Sequence, residues 1–249
     1  MDWRDTGFVL ATRRHGESGL IVELLTIEHG RHAGLVRGGQ SPKRRALLQP
    51  GNLVAASWRG RLPEHLGAFE IELLRAHAAG LIDDPDGLAA LASAASLIAV
   101  ALPEREPHGD VFQGFAGLID ALDSADWAVR YVAWECALLA ALGFGLDLQS
   151  CAATGVNDDL AYVSPRSGRA VSRSAGQPYH DKLLALPAFL WRDAPAEGAD
   201  IVAGLMLTAH FLHHHLLAPQ GRTLPEARAR LAERLRRLSG AGAPDMIGA

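Results

Sequence analysis

Apolar residues in the first 80 positions recur in five short runs, several of which alternate with polar residues. The runs span residues 6–14, 19–27, 30–39, 51–60 and 66–76, and glycine, proline, asparagine or charged residues bound each of them. Alternation with a period of two predicts β-strands, and the glycine-containing connections at 15–18 and 28–30 predict tight hairpins. Five strands at this spacing, with one long connection, indicate a small closed barrel.

The apolar spacing changes to a helical period from about residue 84. Asp84 and Pro85 mark the start of a helix, and Pro103 marks its end. Further helices are predicted over residues 110–124, 126–145, 200–217 and 224–238. Residues 146–180 are irregular apart from a predicted hairpin at 160–172. These patterns predict an α+β protein with a barrel domain at 1–80, a helical domain at 81–240 and a disordered tail at 241–249.

Charge is distributed unevenly along the chain. The formal net charge is -4, yet residues 1–61 contain ten Lys and Arg against five Asp and Glu. Residues 81–217 contain seventeen acidic residues against seven basic ones, and residues 218–249 are basic again. A basic barrel domain is suited to a polyanion that the acidic helical domain would repel.

The sequence contains none of the common catalytic motifs. It lacks a GxxxxGK[ST] phosphate loop, a GxSxG nucleophile elbow and an HExxH zinc motif. Cys136 lies in an apolar helical pattern, where burial raises the pKa of a thiol and makes it inert. The adjacent Asp158 and Asp159 are typical of a solvent-facing turn. We therefore expect neither enzyme activity nor a cofactor.

Several features are typical of a cytoplasmic protein. Cys136 and Cys151 are the two cysteines of the chain and can form at most one disulfide. Residues 1–14 contain acidic residues and alternate, unlike a secretory signal. The apolar run at 88–102 is shorter than the roughly 20 residues of a membrane span. We expect no transmembrane helix.

Basic residues of the barrel domain form the candidate binding site. They lie near the end of the first predicted strand, in the glycine- and proline-marked loop after the third, and around the end of the fourth. Because Lys and Arg neutralise phosphates and release condensed counterions, such a groove can hold a nucleic acid backbone. A solvated turn without a ligand is the alternative. The candidate DNA-binding residues are Arg13, Arg14, Arg37, Lys43, Arg44, Arg45, Arg59 and Arg61.

Aromatic residues that could stack on bases are few in this domain. The candidates are Trp3, Phe8, Trp58 and Phe69. An aromatic residue in an alternating strand is more often part of the core than a stacking platform. Trp58 is the best exception, because it directly precedes Arg59 near a strand end.

Three histidines near the C-terminus have helical spacing. His210, His213 and His214 stand at positions i, i+3 and i+4, a geometry that could hold a transition metal. No carboxylate or cysteine accompanies them as a further ligand, so a polar helix flank is the preferred interpretation. No metal site is predicted here.

The order of these features resembles the RecO family, the bacterial recombination mediators of the RecF pathway. The resemblance covers almost the whole chain, and its carriers are the start DWRDTGFVLATRRHGESG, the following SPKRRALLQPGNLV, the mid-chain FGLDLQSCAATG and AYVSPRSGRAVS, and the closing HHHLLAPQGRTLPEAR. It implies an N-terminal oligonucleotide/oligosaccharide-binding (OB) barrel. An all-helical domain with a zinc-knuckle insertion at about 146–180 would follow.

The resemblance also implies a function. Members of the family bind single- and double-stranded DNA, anneal complementary strands, contact the C-terminal tail of single-strand binding protein and act with RecR to load RecA. They carry no cofactor and no bond-making chemistry, and a cytoplasmic, nucleoid-associated location follows. The alternative is a protein-interaction scaffold whose barrel edge grips a partner, with DNA contact incidental.

The tail of single-strand binding protein is short and acidic and ends in apolar residues. A receptor for it needs an apolar pocket rimmed by cations. Arg222, Arg228 and Arg230 are the candidates for this contact, although their helix also has the pattern of an ordinary amphipathic helix with a solvated basic face.

The predicted knuckle departs from the family pattern of two CxxC pairs around Zn²⁺. Cys151 remains, whereas Thr154 stands three positions later and Ser172 and Ala175 lie in place of the second pair. One thiolate cannot hold structural zinc, which generally needs four ligands. We therefore expect a degenerate, metal-free knuckle, held by its hairpin and by inward packing of Leu146, Leu148 and Tyr162.

Overall fold

The structure, a computed structural model, describes residues 1–62 and 64–240. Its architecture is mixed α+β, and contacts divide it into two units. The first unit comprises Met1–Ser124 with Pro225–Arg228, and the second comprises Ala125–Leu224 with the remainder of the described chain. The expected boundary at residue 80 stays a prediction, since these units divide at a later position. The predicted tail at 241–249 lies outside the described residues.

A closed five-stranded barrel is the centre of the first unit. Its strands follow in the order β1-β2-β3-β5-β4, and all neighbours pair antiparallel except β3 with β5. The tight turns after β1 and β2 contain Gly16 and Gly30, whose φ angles are 59° and 63°. The five predicted strands and the barrel are therefore confirmed. Their bounds are β1 (Asp2–His15), β2 (Gly19–Thr26), β3 (Gly30–Val36), β4 (Leu53–Arg59) and β5 (Ala68–Arg75), with a short helix α1 (Pro42–Leu47) between β3 and β4.

Apolar side chains from all five strands fill the barrel. Trp58 is the largest of them and is 1% exposed, and its Nε1 donates a hydrogen bond to the Leu66 carbonyl oxygen at 3.0 Å. A Cβ atom at Gly60 or Gly67 would lie 2.3 or 2.4 Å from the Trp58 ring, so these positions need glycine for the ring to fit. The buried cluster comprises Val9, Leu20, Val22, Leu24, Val36, Leu48, Val54, Ala56, Trp58 and Phe69.

Helices cover the outer face of β1. The helices of this unit after the barrel are α2 (His77–Gly80), α3 (Pro85–Ala101) and α4 (Gly109–Ala121). Phe8 of β1 packs against Phe112 and Phe115 of α4, with ring centroids 5.0 and 5.2 Å apart. Since the barrel interior lies on the other side of this strand, β1 is buried on both faces at Phe8, Val9 and Leu10.

Helices and a small sheet form the second unit. The bounds of these elements are α5 (Trp127–Ala141), β6 (Leu160–Val163), β7 (Ala170–Ser172), α6 (Arg173–Gly176), β8 (Leu184–Ala185), α7 (Gly198–Phe211) and α8 (Glu226–Leu238), whose first three residues belong to the first unit. Thr208 of α7 donates a hydrogen bond to the buried carboxylate of Glu135 on α5. The predicted helices and the predicted hairpin, which forms β6 and β7, are confirmed in kind and position.

One continuous helical segment, Gly198–Gln220, has 23 residues and is apolar enough to cross a membrane by length and composition. It comprises α7, a π-helical turn at Leu212–Leu217 and a final 3-10 turn. Of its most apolar window, 44% is buried within the protein, where Leu205, Leu207 and Phe211 lie in the core. The core helix of a soluble protein meets the same criterion, so this segment is weak evidence for a membrane span.

Candidate nucleic-acid interface

The basic segment after β3 folds as the helix α1 where the sequence indicated a loop. Pro42 stands in its first turn, where the fixed φ angle and the missing N–H of proline favour a helix start. Lys43, Arg44 and Arg45 follow and are exposed. Leu48, directly after the helix, is 2% exposed and belongs to the barrel core. The basic side chains therefore project from a short helix that its own apolar end fixes to the barrel.

Two amide side chains hold this segment at both ends. Before α1, Gln40 donates hydrogen bonds to the carbonyl oxygens of Gly16 and Gly19 at 3.2 and 3.0 Å. After it, Asn52 donates to the carbonyl oxygen of Leu47 at 2.9 Å. Backbone carbonyls at a helix end have no partner within the helix, so the Asn52 amide supplies the hydrogen-bond donor that the Leu47 carbonyl would otherwise lack. The position of the basic residues is thereby set by side-chain chemistry on either side of them.

A cleft of about 530 Å³ lies beside α1 on the surface of the barrel unit. Arginines from three separate parts of the sequence line it, and so do the two acidic residues Asp2 and Glu70. Trp3, Trp58 and Phe69 also contribute to its lining. We call it the cationic cleft and define it by its arginines Arg4, Arg37, Arg44 and Arg59.

Strand register explains why these residues meet. In the pairing of β1 with β4, Asp2 lies opposite Arg59 and Arg4 lies opposite Ser57. Trp3 lies opposite Trp58 in the row between them. Because alternate side chains of a strand point to opposite faces, the charged rows share the outer face and the tryptophan row turns inward.

The candidate cations have no acidic partners in the structure. Within residues 1–62 and 64–240, neither Arg4 nor any of the eight predicted DNA-binding residues forms an ion pair. Arg31 of β3 is the contrasting case: it is 7% exposed, lies 3.0 Å from Glu23 and 3.5 Å from Glu104, and is structural. Unpaired exposed guanidinium groups remain available to phosphates.

The structure brings only part of the predicted set into the cationic cleft. Arg37, Arg44 and Arg59 line it, together with Arg4, which the sequence prediction missed because Arg4 lies before the first predicted strand. Lys43 lines a smaller apolar groove with Arg44, Leu47 and Ile71. The others are exposed outside the cleft and stay predictions: Arg13, Arg14, Arg45 and Arg61.

Most of the aromatic candidates belong to the core. Phe8, Trp58 and Phe69 are 3%, 1% and 3% exposed, so the expectation that Trp58 is a stacking platform is wrong. Trp58 faces the barrel interior, whereas Arg59, the next residue of β4, faces outward. Trp3 is half-buried, and the ring of His29 stacks on it with centroids 4.1 Å apart. Sequence reasoning missed His29, which lies in the turn between β2 and β3.

The region of the predicted knuckle contains the small sheet β7-β6-β8. Cys151 is 1% exposed, and its Sγ accepts a hydrogen bond from the backbone N–H of Ser172 at 3.2 Å. Burial disfavours the thiolate, but hydrogen bonds from Ser172, Thr154 and Ala153 outweigh it and lower the pKa of Cys151 to about 6. In the part of the chain that the structure describes, no three His, Cys, Asp or Glu residues are grouped to hold a metal ion.

The expected inward packing of this region is partial. Leu146, Leu148 and Tyr162 are all half-buried. Ion pairs brace the same region, since Arg169 lies 3.2 Å from Asp147 and Arg173 lies 3.2 Å from Asp159. On α5, burial and the neighbouring Glu135 raise the pKa of Cys136 to about 12, in agreement with the expected inert thiol.

The remaining candidates near the C-terminus differ in exposure. Arg222 and Arg230 are exposed, whereas Arg228 is 4% exposed, so a partner cannot contact its guanidinium group directly. The predicted role of the other two stays a prediction.

His210 is half-buried, and its ring and that of His215 both point a nitrogen at the Pro165 carbonyl oxygen, at 3.3 and 3.1 Å. Those contacts tie the helical segment to the hairpin of the small sheet.

The second unit also contains an open cleft, which the sequence did not reveal. Leu146, Leu148 and Phe189 line it, along with Trp191 and Arg192. The Arg192 guanidinium carbon lies 5.0 Å from the centre of the Trp191 ring. The cleft therefore combines apolar side chains with a cation, and Gln149 and Asp193 add polar groups to its wall.

Two family models match the chain. The model described as Recombination protein O N terminal matches residues 1–77, and the model described as Recombination protein O C terminal matches residues 82–223. Together the matches span both units of the structure.

The chain is also similar to proteins described as DNA repair protein RecO. That of Rhodospirillum rubrum is 55% identical over an alignment of 249 positions, which covers 97% of this chain and 99% of that protein. That of Rhodospirillum centenum is 55% identical over 95% of this chain and 96% of the relative. That of Phenylobacterium zucineum is 52% identical over 94% of this chain and 98% of the relative. Matches of this extent and identity show that the chain belongs to the RecO family of DNA repair and recombination proteins.

Proposed function

We propose that this protein is a recombination mediator that binds single- and double-stranded DNA and anneals complementary strands. The cationic cleft is the observation that carries the proposal, since its arginines lack acidic partners among the described residues. Two strands held against unpaired guanidinium groups repel each other less, and this permits base pairing. Contacts of this kind address phosphates, so binding is expected to show little sequence preference.

The barrel is proposed to be an OB fold, the architecture that the resemblance implied. A closed barrel of five strands in the order β1-β2-β3-β5-β4 supports this assignment. A domain boundary near residue 80 is supported by the family matches, which end at 77 and resume at 82. The insertion at 146–180 is proposed to be a degenerate knuckle. Its support is the position of Cys151, whose Sγ accepts a backbone N–H as a metal-bound thiolate would.

RecR, single-strand binding protein and, indirectly, RecA are the proposed protein partners. An acidic tail that ends in apolar residues requires an apolar pocket with a cation at its rim. The cleft of the second unit offers apolar side chains beside Arg192, although Asp193 also lines it, and is a candidate alongside the predicted set at Arg222, Arg228 and Arg230. The proposed location of the protein is the cytoplasm, in association with the nucleoid. Its proposed action is stoichiometric binding, without a cofactor or bond-making chemistry.

The experiment that tests this function is annealing of complementary oligonucleotides across a salt series, with and without a coat of single-strand binding protein. The test variant replaces Arg37, Arg44 and Arg59 of the cationic cleft by Ala. The matched control replaces three exposed arginines that are already paired with carboxylates, Arg130, Arg169 and Arg173, by Ala. Both variants lose three positive charges, so a difference in DNA affinity between them shows that the position of those charges matters.

The cleft variant is expected to anneal slowly and to bind single strands with a log-log salt slope smaller by about 0.7 for each lost phosphate contact. The control is expected to behave as the unaltered protein. If the two variants lose affinity equally, the cleft is not the DNA site. If the unaltered protein neither binds nor anneals at low salt, the mediator function itself fails.

The rival function is a scaffold whose barrel edge grips a partner strand. In the described barrel every strand has a neighbour on both sides, but β3 pairs with β5 only at Leu35 and Ala68, so strand addition would have to use the rest of that seam. A tight complex with RecR alongside negligible DNA binding at low salt would favour the scaffold.

A further inference from the structure

A stack of rings leads from the barrel core to its surface. Trp58 is buried, Trp3 lies parallel to it with centroids 5.9 Å apart, and His29 lies on Trp3 at 4.1 Å and 8°. The side chain of His29 is 31% exposed, so the stack ends at an accessible ring. Successive parallel rings at this spacing are the arrangement on which a further flat ring can be added.

Asp5 holds His29 in place. Its Oδ2 accepts hydrogen bonds from His29 Nδ1 at 3.0 Å and from the backbone N–H groups of Glu28 and His29 at 2.8 and 3.2 Å. Burial disfavours the charged form of Asp5, but these bonds and one from the Thr6 N–H outweigh it and hold its pKa below the ordinary value. The His29 ring is therefore ordered before any ligand arrives, which reduces the entropic cost of stacking on it.

Next to this stack lies a small pocket of about 200 Å³. It is lined by His29 and Trp3, by His32 and Arg105, and by Glu28 with the first residue of the chain. The volume is below the roughly 300 to 1,000 Å³ of pockets that hold drug-sized ligands, so it suits a single small ring system.

Buried polar atoms in the pocket lack partners. His32 is 4% exposed, and neither its Nδ1 nor its Nε2 has a hydrogen-bond partner among the described residues. The Nε of Arg105 is also buried and unpaired. Buried polar groups in folded proteins are nearly always paired, so three unpaired atoms at one pocket are a sign of a missing ligand. The set offers one ring acceptor and two donors, if His32 is neutral.

The chemistry of the pocket favours a flat and neutral ligand over an anion. Burial and the charges of Arg105 and His29 lower the pKa of His32 to about 4, so the ring is uncharged at neutral pH. The carboxylate of Glu28 at the rim offsets the charge of Arg105, whose Nη2 already donates to the Glu64 carbonyl oxygen at 2.9 Å. Trp3 and Trp58 line both this pocket and the cationic cleft, whose unpaired arginines are the better phosphate ligands.

We propose that this pocket receives one unpaired nucleobase of a DNA strand, stacked against the ring of His29 with its polar edge towards His32 and Arg105. This inference rests on the proposed function, because the cationic cleft beside the pocket would hold the phosphates of the same strand. Such a contact is tolerant of sequence, since every base has a flat face and a polar edge. Such a base contact gives the protein a preference for single strands, whose bases are not held in a paired duplex.

The test compares two probes with the same number of phosphates, an oligo(dT) and a strand of abasic residues, by fluorescence anisotropy. The unaltered protein is expected to bind the oligo(dT) roughly 5- to 150-fold more tightly, the range that one stacked base supplies. His29→Ala is expected to abolish this preference while leaving the affinity for the abasic strand unchanged. His29→Phe, which keeps a flat ring but loses the bond to Asp5 that orders it, is expected to retain a reduced preference. His180→Ala, a change at an exposed histidine of the second unit, is the matched control.

Equal binding of both probes by the unaltered protein would overturn the base pocket and leave the phosphate-binding function intact. Loss of the preference in His29→Phe as well as His29→Ala would overturn stacking as its cause. Absence of binding to either probe would instead remove the proposed function, and this inference with it.

Discussion

Asn52 and Leu47 are joined by a hydrogen bond of 2.9 Å from the side-chain amide to the backbone carbonyl oxygen. The same amide lies 3.2 Å from the Ala46 carbonyl oxygen, and the Asn52 Oδ1 accepts the backbone N–H of Ala78 at 3.2 Å. Asn52 is 1% exposed. One buried side chain thus connects the basic helix α1, the start of β4 and the helix after the barrel.

Replacing Asn52 by Ala is expected to destabilise the protein by about 1–3 kcal/mol, because buried carbonyl and N–H groups lose their partner. It is also expected to weaken DNA binding, since α1 would no longer be held in position. Urea denaturation and anisotropy with oligo(dT) measure the two effects. Asn157→Ala, at an exposed asparagine, is the control. Unchanged stability in Asn52→Ala would contradict the role assigned to this amide.

Arg44 and Arg45 are neighbours on α1 but differ in position. Arg44 lines both the cationic cleft and the adjoining apolar groove, whereas Arg45 lines neither. Arg44→Ala is therefore expected to reduce the salt slope for single strands by about 0.7, and Arg45→Ala by clearly less. Affinity measured at several salt concentrations checks this, and the single changes serve as controls for each other. Equal losses would mean that both side chains contact the strand.

Arg31 has a structural role that separates it from the exposed cations. Its guanidinium group is paired with Glu23 and Glu104, and its Nε donates to the Leu102 carbonyl oxygen at 3.0 Å. Arg31→Met is expected to lower the free energy of unfolding by about 1.5–3 kcal/mol, since a charged hydrogen-bonded group is lost. The salt slope of DNA binding should not change. Arg37→Met, which removes an exposed cleft cation, is expected to reduce the salt slope of DNA binding and to leave the free energy of unfolding unchanged.

His32 makes the stability of the barrel depend on pH. Burial, with repulsion from Arg105 and His29, lowers its pKa to about 4, whereas in the unfolded chain it is about 6.5. Between these values the unfolded chain binds more protons. The stability contributed by neutral His32 is therefore complete above about pH 6.5 and is lost as the pH falls towards 4.

His32→Phe removes the titrating group and keeps a flat ring in the same place. This variant is expected to retain up to about 3 kcal/mol more stability than the unaltered protein at the acidic end of that range, relative to neutral pH. Urea denaturation at a series of pH values measures the difference. Parallel curves for the two proteins would show that His32 does not titrate in this way.

The region around Cys151 is expected to bind no structural zinc. The chain has only one other cysteine, Cys136, which lies on α5. Atomic emission on protein without an affinity tag should therefore give far less than one zinc per chain, and a chelator should leave the thermal unfolding unchanged. A stoichiometric zinc signal that a chelator removes together with stability would contradict this.

Most of the secondary structure could be predicted because its signals are local. The runs around Val22 and Val54 are short, apolar and bounded by turn residues, and Asp84 accepts the N–H groups of Asp86 and Gly87 as an N-cap at the predicted helix start. The helix α1 escaped prediction because it is short and its three consecutive cations, Lys43 to Arg45, carry no apolar period. Trp58 was misjudged for a related reason, since the exposed Arg59 follows it in the sequence while the strand register packs it between Trp3 and the buried Phe69.

The sequence by itself determined the five strands, the later helices and the concentration of positive charge in the first part of the chain. These follow from hydrophobic periodicity, turn residues and composition, which act over a few neighbouring positions. Only the tertiary structure decided which cations meet in the cationic cleft, that Arg31 is structural, and that His29 ends a stack that begins at Trp58. Those outcomes depend on strand register and barrel closure, which bring together residues more than fifty positions apart, as in the pairing of Trp3 with Trp58.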